Sequence, residues 1–151
     1  MLKSIANILV PITYSDAAFQ GAWIALSIAR SLHASMTFIH IHIREKALRE
    51  LIFIDRNELG DLTDTKLQDL LLKIVGDPSS QALQSVVEHS VVAFESCTFT
   101  PADEICDYAK KNNIDLIVMG CRRRSNIKEL LLGSVSHEVV QKATCPVTVV
   151  H

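Results

Sequence analysis

The sequence has no C-x-x-C pair, no basic excess and no apolar run long enough to span a bilayer. Each absence closes a class. Without paired thiol spacing, the four cysteines (Cys97, Cys106, Cys121 and Cys145) read as scattered, unpaired thiols of a cytoplasmic chain, most simply small buried hydrophobes. A formal net charge of −2 and a pI near 6.3 argue against a general nucleic-acid binder, which usually carries a strong positive footprint. The amino-terminal residues enter a strand-like run directly, without a signal-peptide h-region or cleavage site, so no membrane partner is expected. Neither G-x-x-x-x-G-K-[ST] nor G-x-G-x-x-G occurs, which leaves an ordinary P-loop or classical dinucleotide site unsupported.

What remains is 151 residues, 48% of them apolar, enough for one domain with a real core over residues 1–151. Residues 5–12 (IANILVPI), 36–43 (MTFIHIHI), 86–94, 114–119 (IDLIVM) and 145–150 (CPVTVV) are short apolar runs suited to buried strands. Pro11 marks the exit of the first, since a proline inside a central strand removes a ladder donor. Between the strands lie helical patterns. The first starts at Ser15-Asp16, and its alanines at 18, 22, 25 and 29 suggest close packing on a sheet. Residues 44–54 and 63–75 also look helical. Thr100-Pro101-Ala102-Asp103 is a strong helix start, closed by Asn112-Asn113. Ser134 or Ser136 caps the last helix. Alternating strands and helices imply an α/β fold: a Rossmann-like, doubly wound, five-stranded parallel sheet in the order 3-2-1-4-5, with helices on both faces.

In such a sheet ligands bind beyond the carboxyl ends of the strands, where the strand order reverses between the first and fourth. That places Pro11, Thr13 and Ile41 beside Met119, Gly120, Arg122 and Arg123, with Gly133, Ser134 and Val135 at the start of the last helix. Gly133-Ser134 reads either as a turn glycine with a helix cap or as an anion site, where free N–H groups and the helix dipole favour negative charge. The Arg122-Arg123-Arg124 run reads as a solvated loop, a contact for an acidic partner, or a phosphate clamp. His40 and His42 share one side of their strand; polar positions near a strand end explain them better than a metal, which needs further ligands. Phe19 and Trp23 read as core or helix-surface packing.

From IDLIVMG through LLLGSVSHEVV to ATCPVTVV the chain resembles the universal stress protein (UspA-like) family, and ILVPITYSDAAFQGAWIALSIA and FIHIH resemble that family's beginning. The G-x2-G-x9-G-[ST] spacing of its nucleotide-binding members is kept, with Gly120, Gly133 and Ser134 in place and Arg123 at the second glycine. The resemblance implies a stress-response regulatory protein rather than an enzyme. It implies an altered site for ATP or AMP, with the base near Ile41 and phosphates on Gly120, Gly133 and Ser134, and no metal. It also implies a homodimer through the fifth strand. Two departures point the other way. Thr13 stands where the family usually has an acid, followed by Tyr14 in place of a common glycine, and Arg123 adds a side chain where the backbone would wrap phosphate. A plugged pocket would make the chain a dimeric interaction module for a regulatory protein partner.

Overall fold

A computed structural model describes residues 4–12, 16–43, 89–96, 100–121 and 133–151, with side chains at all of these except 42–43, 89–96 and 134. The helices expected at 44–54 and 63–75 lie outside the described residues, as do Thr13, Tyr14, Cys97 and Arg122 to Arg124. In chain order the elements are β1 (Asn7–Pro11), α1 (Asp16–Leu32), β2 (Ser35–Ile43), β3 (His89–Ser96), α2 (Pro101–Lys111), β4 (Leu116–Gly120), α3 (Ser134–Lys142) and β5 (Val147–Val150).

The strands are parallel. The four strands β2-β1-β4-β5 follow one another in that order, and the backbone of β3 pairs along the outer side of β2 from Met36↔His89 to Ile43↔Ser96. Side chains alternate across this sheet and build two cores. Ile8, Val10, Ile12, Met36, Phe38, Leu116 and Val118 meet α1 on one face. Leu9, Ile39, Ile117 and Met119 meet Ala102, Ile105 and Ala109 of α2 and Val139 of α3 on the other. Helices on both faces are therefore what the alternation requires.

Each helix follows from local chemistry. α1 buries Ala18, Gly21, Ala22, Ala25, Leu26 and Ala29, a face of small residues that brings its backbone close to the strands. Trp23 and Ile24 point outward and are exposed, so Trp23 belongs to the helix surface, whereas Phe19 packs on the core. α2 begins with the capping box its sequence announces. The Asp103 N–H donates to Thr100 Oγ1 at 3.3 Å, and the Thr100 N–H donates back to Asp103 Oδ2 at 3.3 Å. It ends at Asn112, and Asn113 takes a left-handed conformation at φ 52°, which asparagine tolerates.

The structure moves several boundaries. β1 begins at Asn7 rather than residue 5, and β3 runs on to Ser96 rather than ending at 94, while residues 86–88 of the expected strand lie outside the described residues. β5 begins at Val147 rather than at Cys145, because Pro146 has no N–H to give and contributes only its carbonyl, which accepts from Ile117 N–H at 3.0 Å. The last helix is not capped by serine. Gly133 is its N-cap, with no side-chain cap at all. Cys121 is buried as expected, but Cys106 and Cys145 are only half-buried. Burial pushes the Cys106 thiol up from its ordinary pKa, with the nearby Asp103 charge adding to the effect.

One long-range bracket closes the amino-terminal edge of the sheet. Asp115, buried just ahead of β4, accepts the N–H groups of Ala6 and Asn7 on one carboxyl oxygen, each at 3.0 Å, while its own N–H donates to Asn7 O at 2.9 Å. Removing that acceptor strands two backbone donors. Asp115→Ala should therefore lower stability by about 2 kcal/mol in urea unfolding, more than an ordinary surface substitution. A change under roughly 0.5 kcal/mol would show that the bracket is dispensable.

Candidate functional site at the strand switch point

The carboxyl end of the sheet is built around a parting of strands. β1 stays paired with β2 as far as Pro11↔Ile39, and β4 stays paired with β5 as far as Gly120↔Val150. Between them the β1–β4 register runs only from Ile8↔Leu116 to Leu9↔Ile117. The peptide groups explain why. Ala6 O accepts from Ser35 N–H and the Ile12 N–H donates to Ile39 O, so even-numbered residues of this stretch face β2; Asn7 O accepts from Asp115 N–H, so odd-numbered ones face β4. Pro11 belongs to the second set and has no N–H to offer β4. A proline is admitted into a central strand at the point where that strand leaves its neighbour.

Around this parting the structure brings together several of the expected site residues. Pro11 and Ile41 are half-buried at the ends of β1 and β2, Met119 is buried near the end of β4, and Val135 is half-buried in the first turn of α3. Ile41 and Val135 both pack against the core cluster that contains Met119, so these apolar groups share the α2–α3 face. His40 lies on the opposite face. It is 7% exposed, and its Nδ1 sits 2.9 Å from Ile12 O, so the proton on that nitrogen ties β2 to the residue preceding the 13–15 segment. That is a specific structural bond rather than a generic polar position. Among the described residues no cluster of three or more His, Cys, Asp or Glu side chains could hold a metal ion.

The two motif glycines have different roles. A Cβ on Gly120 would collide with the α1 backbone, reaching the carbonyl of Ala17 and coming within 2.6 Å of Ala18 N. A Cβ on Gly21 would in turn lie 2.8 Å from Gly120 N. Gly120 is thus required by helix–strand packing. Gly133 is the contrary case. Its backbone at φ −57°, ψ 155° suits any residue, and a Cβ there would find Ser136 Oγ at 3.6 Å, an ordinary contact.

Three residues that the sequence reading did not place in the site organise the start of α3. Cys121 is 3% exposed; its Sγ accepts the Gly133 N–H at 3.0 Å and lies 3.4 Å from Ser136 Oγ. Ser136 donates to Gly133 O at 2.9 Å, alongside the His137 N–H. Gly21 supplies the contact under Gly120. A glycine inside an otherwise alanine-faced helix was the available signal for the last of these; nothing in the spacing announces the other two.

The far end of α3 is clasped to the start of α2. Lys142 Nζ pairs with Asp103 Oδ1 at 2.8 Å and Glu138 Oε2 at 3.2 Å. The Thr100 hydroxyl lies within donating distance of Asp103 Oδ2 (2.9 Å) and Glu138 Oε2 (3.3 Å). The Lys142 and Thr100 hydrogen bonds hold the Asp103 carboxyl below the ordinary aspartate range, and the hydrogen bonds to Asp103 and Glu138 raise Lys142.

The glycine assignments separate two substitutions of identical chemistry. Gly120→Ala should cost about 3 kcal/mol, because backbone on both sides must move, whereas Gly133→Ala should cost about 1 kcal/mol or less, the ordinary penalty for losing a good N-cap residue. Thermal or urea unfolding of the two variants compares them directly, and equal losses would contradict the packing assignment.

The comparisons with known proteins agree with this architecture. Residues 4–151 match the model of the universal stress protein family. The chain is 29% identical over 148 residues to the universal stress protein YxiE of Bacillus subtilis, covering 95% of this chain and 97% of that one. A universal stress protein family member from Burkholderia pseudomallei superposes with a TM-score of 0.71 at 19% identity, over 99% of this chain and 98% of that one. Universal stress proteins solved with dAMP, from Archaeoglobus fulgidus, and with cAMP superpose at TM-scores of 0.63 and 0.64, each at 19% identity over 99% of this chain and 100% and 98% of theirs. With the family match spanning nearly the whole sequence, the chain belongs to the universal stress protein family.

Proposed function

We propose that this chain is a cytoplasmic, non-catalytic regulatory protein that binds an adenine nucleotide at the parting of β1 and β4. The observation that carries this reading is the start of α3. Among the described residues no side chain caps its first turn, so backbone N–H groups and the positive end of the helix dipole stand at the carboxyl edge of the sheet. The half-buried apolar groups Pro11, Ile41 and Val135 beside it suit a base. In this arrangement the base lies toward Ile41, and the phosphates lie on the amides of Ser134 and Val135, with Arg122 and Arg123 contributing charge. Gly120 supports the floor by packing rather than by direct contact. The complexes of two fold neighbours with dAMP and cAMP support an AMP-type ligand. A regulatory role suits the site better than catalysis, because Glu138, the carboxylate on α3, is engaged by Lys142 and Thr100.

Isothermal titration with ATP, ADP and AMP tests the reading. Heat of binding and a raised melting temperature at millimolar nucleotide, with no phosphate released from ATP, are expected. No heat together with an unchanged melting temperature would sink nucleotide binding and leave the interaction-module reading.

We further propose that β5 pairs with β5 of a second copy. It is the edge strand beyond β4, only four residues long and half-buried along its length, and its sequence VTVV carries no charge to discourage pairing. Light scattering at micromolar concentration should give the mass of a dimer; a monomeric mass would count against the pairing.

A further inference from the structure

We infer that Cys121 is a positioning residue of this site: its sulfur fixes the first turn of α3 to the end of β4 and so aims the amides of that turn at the phosphates. The inference rests on the nucleotide reading above and assigns a role to a residue that reading does not use.

The argument is one of connectivity. The Cys121 backbone N–H donates to Val150 O at 2.8 Å, which seats the residue in the sheet. The residue before it, Gly120, cannot shift, because the α1 backbone fills the space where a Cβ would be. From that fixed point Sγ reaches the Gly133 N–H at 3.0 Å and stands 3.4 Å from Ser136 Oγ. The Ser136 hydrogen is directed to Gly133 O at 2.9 Å, which leaves its oxygen able to accept the thiol hydrogen. Cys121 and Ser136 are each 3% exposed, so water does not compete for these bonds.

The consequence concerns which donors remain. A helix start presents several N–H groups without an intrahelical partner. Here the sulfur takes the N–H of Gly133, which holds the peptide group entering that residue, and Ser136 and His137 hold Gly133 O, which belongs to the peptide group leading into Ser134, so both peptide groups that flank Gly133 are fixed. The amides of Ser134 and Val135 are then oriented before a ligand arrives. Donors that need no reorganisation bind anions better than donors that do. A purely apolar side chain at 121 would fill the volume but release the peptide group entering Gly133, and with it the hinge on which the first turn of α3 is set.

The test separates position from packing. Cys121→Val keeps the volume and removes the acceptor, Cys121→Ser restores an acceptor, and Cys121→Ala serves if the valine variant fails to fold. Each is titrated with ATP, AMP and adenosine well below its melting temperature. The valine or alanine variant should lose about tenfold in ATP affinity, the equivalent of one ordinary hydrogen bond, less for AMP, and nothing for adenosine. The serine variant should recover ATP affinity to within about threefold of the parent, because the acceptor returns. A structural role alone would lower melting temperatures and leave the ratio of ATP to adenosine affinity unchanged; that result overturns the inference while the nucleotide reading stands. If the parent protein binds no nucleotide, the site reading fails first and this role fails with it.

Discussion

The carboxyl end of this sheet is referenced to one contact, the backbone of α1 lying on the backbone of β4 at Gly21 and Gly120. No Cβ fits on Gly120, and one on Gly21 would fall 2.8 Å from Gly120 N. The alanines at 18, 22, 25 and 29 extend the same close approach along the helix, each of them buried. Interiors packed at this density do not deform continuously. The end of β4 is therefore a fixed point, and what hangs from it, Cys121 and through it the first turn of α3, inherits that fixity. The sequence spends its small residues where two backbones must meet, and the site is assembled on the far side of that meeting.

The second constraint is topological. A doubly wound sheet must reverse its strand order somewhere, and the connections leaving the two central strands then diverge to opposite sides. The chain reinforces this divergence with Pro11. In most central strands a missing N–H would leave an unpaired acceptor on the neighbour, but here β1 and β4 are already parting beyond Leu9 and Ile117. The proline removes a ladder bond where the fold does not make one. On the other side of β1 the ladder is reinforced instead, by Ile12 N–H to Ile39 O and by His40 to Ile12 O. The parting is thus asymmetric: β1 stays with β2, and the opening lies toward β4.

These features were unequally legible in the sequence. The strands, α1 and α2 could be read because their signals are local. Apolar runs, alanine spacing and the Thr100-Pro101-Ala102-Asp103 start each act within a few residues. The family spacing located Gly120 and Gly133 but could not divide their labour, since a glycine that packs against a helix and one that caps a helix look alike in one dimension. The caps show the same limit. Ser134 and Ser136 are good capping residues by composition, yet Gly133 holds the position, because Ser136 is drawn to Gly133 O and Cys121 instead. Asp115 serves donors 108 and 109 residues away, and Cys121 serves one 12 residues away. Such bonds exist only once the sheet has brought the segments together, and no periodicity announces them.

The two ends of α3 give the physical reason for placing the proposed phosphate position on this helix rather than on α2. α2 closes its own start with the Thr100–Asp103 capping box, so its first amides are partly consumed by the chain itself. α3 makes the opposite arrangement. Among the described residues no side chain accepts from the amides of its first turn, while its last turn is tied by Lys142 to Asp103, a member of the α2 capping box. The capping carboxylate of one helix thus anchors the tail of the other. Sulfur holds the start of α3, and a surface ion pair links its last turn to α2. Amides at a helix start serve an anion best when that turn is already held, and the Cys121 and Ser136 bonds hold the first turn of α3.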